Sequence, residues 1–202
     1  MSPRPYRMER RQETTDENRQ RIINAARQLL ASQEGSARFS VEEVARRAGV
    51  ARMTVYYQFG SLGGLLEGLC DSLAVAGGMD RLADAFRRPD PVEARDQFIA
   101  VFTGFWESDR AVLRGLGALA ILNPELAAVL EERYGWRRKG VRVLLERLAK
   151  QTGRPKPKEM EDAADVLYML TSFSTYDTLA GPKRTREQVT ALIQRLAGRV
   201  LA

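Results

Sequence analysis

Between Phe39 and Phe59 the chain reads FSVEEVARRAGVARMTVYYQF, and this stretch restricts the fold more than any other. Ser40 and Glu43 form Ser-x-x-Glu, the spacing of a capping hydroxyl and a reciprocating carboxylate at a helix start. Val41, Val44, Ala45 and Ala48 follow at i, i+3, i+4 and i+7, which predicts a helix of about two turns. Gly49 offers the positive φ that a sharp turn between helices requires. A second short helix is expected over 51–58. Val55 and Phe59 point to the core at i, i+4, which leaves Arg52, Met53, Tyr56 and Tyr57 on the opposite face. Two tyrosines and a methionine on an exposed face call for a partner; the alternative is that they pack on the first helix of the chain. The whole stretch reads as a helix-turn-helix whose second helix is shaped to enter a DNA major groove.

The flanks read as helices too. Thr14-x-x-Glu17 is a capping box, and Ile22, Ala25, Ala26, Leu29 and Leu30 repeat at helical spacing, so a helix is expected over about 15–33. Ahead of it, residues 1–13 carry Arg4, Arg7, Arg10 and Arg11, with Pro3 and Pro5 favouring an extended start. Two readings stand for this segment: a frayed terminus, or a basic arm that follows phosphates or enters a minor groove. Past the central stretch, a helix begins near Ser61 and runs through Leu65, Leu66, Leu69 and Leu73, with Gly77-Gly78 placed to kink it before Leu82 and Phe86. Further helices are expected from Pro91, over 110–122, over 124–151, over 158–180, and from the capping box Thr185-x-x-Gln188 to the end. No segment shows a convincing strand alternation. The expected fold is all-α, about nine helices without internal repeat, divided as a basic arm (1–13), a helix-turn-helix domain (14–60) and a helical C-terminal domain (61–202).

Charge agrees with a nucleic-acid partner. Residues 1–60 hold eleven basic and seven acidic side chains, and all eleven are arginine, the side chain suited to bidentate contacts with phosphate and guanine. A solvated arginine-rich surface is the bland alternative. The chain has no histidine and one cysteine, Cys70, so a Ser-His-Asp set, a disulfide framework and a cysteine-histidine metal site are excluded. No cofactor or metal is expected, and an enzyme or an inert helical scaffold explains the sequence poorly. No apolar run approaches the roughly 18 residues of a membrane helix. The polar N-terminus lacks the pattern of a secretory signal, so a reduced cytoplasmic location without a membrane partner is expected.

Over residues 22–69 the sequence resembles the TetR family of transcriptional regulators. The residues that carry the resemblance are Ile22-Ile23-x-Ala25-Ala26, Ser40-Val41-x-x-Val44-Ala45-x-x-Ala48-Gly49-Val50, Val55-Tyr56-Tyr57-x-Phe59 and Leu65-Leu66. Two positions depart from the family's pattern: Ala51 stands where a small polar residue is common, and Leu62 where a lysine is common. The resemblance implies a homodimer that binds double-stranded DNA at an inverted-repeat operator, with repression the default action. It places Arg52, Met53 and Tyr57 at base edges, and Ser40, Thr54 and Tyr56 at phosphates, joined by Arg4 and Arg7 of the arm.

It further implies a small organic effector in an internal cavity. The aromatic residues concentrated in two helices suit its wall: Phe98, Phe102, Phe105 and Trp106 in one, Met169, Phe173 and Tyr176 in the other, with Tyr134 between. Core packing is the competing reading for each. Arg114, Asp109, Tyr134, Asp165, Thr171 and Tyr176 are candidate polar anchors. The dimer contact is expected on the last two helices, through Leu167, Leu170, Val189, Leu192, Ile193 and Leu196, unless that stripe closes the subunit's own core. By the same analogy, the helix that starts near Ser61 links effector to DNA.

Overall fold

The computed structural model describes residues 4–32 and 35–200, with side chains described over 14–32 and 35–199. Within that span the chain is all-α. Eleven α-helices and two short 310 helices are present, and no strand occurs among the described residues. They group into two compact units. The first comprises residues 1–72 and 111–129, the second 73–110 and 130–202.

The first unit contains α1 (Arg4–Ala31), α2 (Val41–Ala48), α3 (Arg52–Phe59), the start of α4 (Leu62–Ala76) and nearly all of α7 (Arg110–Leu122). Helix α1 starts at Arg4, ahead of the expected capping box. The run Glu9 to Gln12 is made of good helix formers, with no glycine or proline between Tyr6 and Ala31 to stop it. Ser40 caps α2 as its spacing predicts, its Oγ accepting the Glu43 amide at 3.2 Å. Gly49 ends α2 at φ 63°, ψ 38°, a left-handed conformation that costs other residues about 1–2 kcal/mol. The core is the expected stripe: Ile22, Ala26, Leu29, Val44, Val55, Leu65, Leu66 and Leu69 are each buried to within 1% of complete.

The second unit is built around α6 (Pro91–Ser108), which packs against α5 (Leu82–Arg87), α10 (Phe173–Ala180) and α11 (Arg186–Val200). Phe98, Ile99, Val101, Phe102 and Trp106 bury one side of α6 after another, as suits a central helix. The unit also holds most of α8 (Pro124–Thr152), α9 (Met160–Leu170) and 310 turns at Met79–Arg81 and Pro157–Glu159. The Gly77-Gly78 pair ends α4, and Gly78 takes φ 72°. The single helix expected over 158–180 is two helices. Ser172 sits in an extended conformation and its Oγ accepts the Thr175 amide at 3.1 Å, an N-cap inside the apolar periodicity.

Candidate nucleic-acid interface

Helix α3 has one residue inside and a face outside. Val55 is 1% exposed, whereas Met53 is 72% and Tyr57 83% exposed. Arg52 lies on the same open face; Thr54, Tyr56 and Phe59 are half-buried. The Arg52 guanidinium donates to the Tyr56 hydroxyl at 3.0 Å and pairs with Glu42 of α2 at 2.8 Å. Both partners of that ion pair are solvated, so it is weak and readily exchanged for a stronger acceptor. The hydrogen bond to Tyr56, followed by Glu42, raises the arginine's pKa, so it stays cationic.

Two arginines the sequence did not single out hold this face in place. Arg21 of α1 donates to the carbonyls of Ala48 (2.7 Å) and Gly49 (2.9 Å), where the α2 carbonyls lack helical partners. Arg19 donates to the Gln58 carbonyl at 3.1 Å and lies 4.4 Å from the Phe59 ring centre, while Gln58 returns a bond to the Thr15 carbonyl. Helix α1 thus clamps both ends of the turn-helix segment. Arg46 and Arg47 both bind Glu43, at 2.6 and 2.9 Å, and their hydrogen bonds hold its carboxyl down at about 2. Their charge is partly neutralised within α2. Ser40 uses its hydroxyl as a cap. The backbone of Arg4 and Arg7 is the first turn of α1, and their side chains lie outside the described residues.

Ser61 caps α4 through the Gly64 amide at 3.0 Å. A Cβ on Gly64 would stand 2.1 Å from the Phe59 carbonyl oxygen, so the close approach of α3 and α4 explains the glycine. Ala51 makes no side-chain cap for α3, and only its carbonyl serves the first turn, accepting the Thr54 amide at 2.9 Å.

The aromatic residues expected to wall a cavity do gather in the second unit, as a ladder. Ring centres lie 4.7 Å apart for Phe98–Phe102, 5.9 Å for Phe102–Trp106, 4.7 Å for Phe105–Trp106 and 5.6 Å for Trp106–Phe173. Tyr176 is fully buried, and its hydroxyl donates to Glu107 at 2.6 Å; burial, then Glu107, pushes its pKa up. Tyr134 and Phe173 are half-buried and Met169 is exposed. In the midst of this group lies Arg137, only 6% exposed and absent from the sequence-derived set. Of the candidate anchors, Thr171 is buried beside it, whereas Asp165 pairs at the surface with Arg138 at 2.7 Å.

Two open clefts lie elsewhere in the unit. One of about 630 Å³ runs past Gly77, Gly104 and Glu107, and one of about 330 Å³ past Gln97 and Thr190; Arg81, Arg186 and Glu187 border both. Of the residues expected at a dimer contact, Leu167, Leu170, Val189 and Ile193 belong to the unit's own core. The apolar stripe of α11 is wide enough to serve that core first, leaving Leu192 and Leu196 half-buried at its margin. Among the described residues, no group of three metal-ligating side chains occurs, and no single helix is long and apolar enough to cross a membrane.

Residues 22–69 match the family model described as bacterial regulatory proteins, tetR family. A curated relative, the HTH-type transcriptional regulator AlkX of Mycobacterium tuberculosis, is 41% identical over 66 residues; the match spans 33% of this chain and 28% of that relative. Solved structures resemble the chain over most of its length. A TetR-like transcriptional regulator from Rhodococcus superposes with a TM-score of 0.67 at 20% identity, covering 91% of this chain and 94% of that one. NalD of Pseudomonas aeruginosa, the secondary repressor of a multidrug efflux pump, gives 0.68 at 22%, covering 94% and 98%. AibR, solved with isovaleryl coenzyme A and operator DNA, gives 0.66 at 16%, covering 89% and 97%. At such identities the structures establish a shared fold.

Proposed function

This chain belongs to the TetR family of bacterial regulatory proteins, and from that premise we propose that it is a homodimeric repressor which binds an inverted-repeat operator and releases it when a small organic effector binds. That it is a transcriptional regulator with a helix-turn-helix follows from the family. The observation that carries the DNA end is the α3 face: Arg52, Met53 and Tyr57 stand in solvent around a buried Val55. Such a face offers a bidentate donor for guanine and apolar surface for thymine methyls. Thr54 and Tyr56 bind phosphates, which orient the helix without reading sequence. A single module of this size is too small for tight, selective binding, so two copies read two half-sites about a helical turn apart.

The effector end rests on the aromatic ladder of the second unit and on the solved relative whose structure contains an acyl thioester together with operator DNA. Helix α4 contributes residues 62–72 to one unit and 73–76 to the other, so it is one of three covalent routes between the units and the one that starts beside α3. A coupling free energy of about 1–3 kcal/mol changes operator affinity by about 5–150-fold, enough for a switch. Selection of genomic fragments by the purified protein at two salt concentrations tests the reading. The expected result is an enriched inverted repeat whose affinity falls steeply as salt rises. Shallow salt dependence without an enriched motif overturns it.

A further inference from the structure

Helix α8 buries a guanidinium that no carboxylate answers among the described residues. Arg137 is 6% exposed, and the ionisable groups that act on it are Tyr168, Tyr134 and Arg138, with no acid among them. Its neighbours in the unit are treated differently: Arg110 reaches Asp177 at 2.8 Å, Arg138 reaches Asp165 at 2.7 Å, and Arg142 reaches Glu161 at 2.7 Å. Arg137 Nη1 donates to the Tyr168 carbonyl at 3.1 Å and to Thr171 Oγ1 at 3.4 Å. Its Nε–H is fully buried and meets no acceptor. Around it stand rings: the guanidinium carbon lies 4.0 Å from the centre of Tyr168, 5.7 Å from Tyr134 and 5.8 Å from Phe102.

A protein does not keep a buried cation with an idle donor for packing alone, because removing one charge from water without a counter-charge is strongly unfavourable. Arginine cannot relieve the cost by losing its proton. We propose that Arg137 anchors the carboxylate of an amphipathic organic acid, whose apolar tail lies along the ladder of Phe102, Trp106 and Phe173. The proposal rests on the effector reading above and gives that effector a chemical class. The planar fork of the guanidinium matches a carboxylate. One guanidinium in apolar surroundings balances a monoanion, whereas a phosphate dianion would remain half-compensated. A quaternary ammonium would suit an aromatic box, but here the guanidinium already holds the ring faces. The anchor lies about one side chain below solvent, since Tyr134, Tyr168 and Phe173 are half-buried and Met169 is exposed.

The test uses the full chain without DNA. Decanoate, phenylacetate, their primary amides and tetramethylammonium are titrated calorimetrically up to millimolar concentration. At least one acid should bind, and its neutral amide should bind about tenfold more weakly, the difference between a charged and a neutral hydrogen-bond partner. Arg137→Gln, which keeps an uncharged donor near the Tyr168 carbonyl, should erase the preference for acid over amide while leaving helical circular dichroism unchanged. Arg137→Lys should retain part of it and serves where the glutamine variant does not fold. Equal binding of acid and amide, tighter binding of tetramethylammonium, no binding by any probe, or a preference unchanged in Arg137→Gln overturns the proposal. Operator release is measured separately by mobility shift. An acid that binds with the stated preference yet leaves DNA bound sustains the Arg137 site and sinks the effector role.

Discussion

At the scale of single residues, the reading face is held ready by weak ties. Arg52 rests on the solvated Glu42 and the half-buried Tyr56, weak ties it can surrender to a guanine edge. Arg52→Ala should therefore lower discrimination at one base position of each half-site by about tenfold. Tyr56→Phe should weaken every sequence alike if, as proposed, its hydroxyl binds phosphate and not a base edge. A binding-site selection performed on each variant distinguishes the two; an unchanged sequence preference in Arg52→Ala removes that residue from base reading. Glu43 gives a pH prediction. Hydrogen bonds from Arg46 and Arg47 lower its carboxyl from 4.5 to about 2. A group whose folded value is depressed adds stability above its unfolded value and loses it as pH falls through the folded one. Urea midpoints of the wild type should thus fall as pH drops from about 4.5 to about 2. Glu43→Gln should flatten that part of the curve, with no loss of DNA binding at neutral pH beyond what its lower stability causes.

At the scale of elements, glycines in one helix make opposite predictions. On α7, a Cβ at Gly115 would stand 2.2 Å from the Leu30 carbonyl oxygen of α1, whereas one at Gly117 meets nothing within 4 Å. Gly115→Ala forces two backbones apart and should cost about 1–3 kcal/mol of unfolding free energy. Gly117→Ala should stabilise by about 0.5–1 kcal/mol through helix propensity. Thermal melts of the two variants check both signs. This contrast also marks what sequence can convey. Local chemistry was legible: Ser40, Gly49 and the reciprocal bonds of Thr185 and Gln188 all end or start helices where their spacing predicts. The break at Ser172 was hidden because apolar periodicity continued across it. Arg21 and Arg137 were hidden for a different reason. Their hydrogen-bond partners lie 27 to 34 residues away, and nothing in a local pattern distinguishes them from a solvated arginine. The stripe of α11 was legible as apolar, but periodicity cannot say whether it faces a neighbour within the chain or a second copy.

At the scale of the whole molecule, that last ambiguity decides how an operator is read. A homodimer supplies two reading faces, and the second contact is then made at high effective concentration, a gain of about 10²–10⁴ in affinity. Leu167, Leu170, Val189 and Ile193 are spent on the unit's own core, so the proposed contact on α11 would fall to Leu192 and Leu196, half-buried and one turn apart. Placing Glu at both should leave the core intact while setting charges against their mates across the two-fold axis. The double variant Leu192→Glu, Leu196→Glu should sediment as a monomer, retain its helical circular dichroism, and lose at least about 100-fold in affinity for an inverted repeat. Its affinity for an isolated half-site should stay at the wild-type value, since α3 is untouched. Ile193→Glu should behave differently, unfolding the second unit by burying an unpaired carboxylate. A double variant that still sediments as a dimer moves the contact off α11. One that turns monomeric yet binds the inverted repeat at full strength would mean that each copy finds its half-site alone, and the dimer would then have no part in reading DNA.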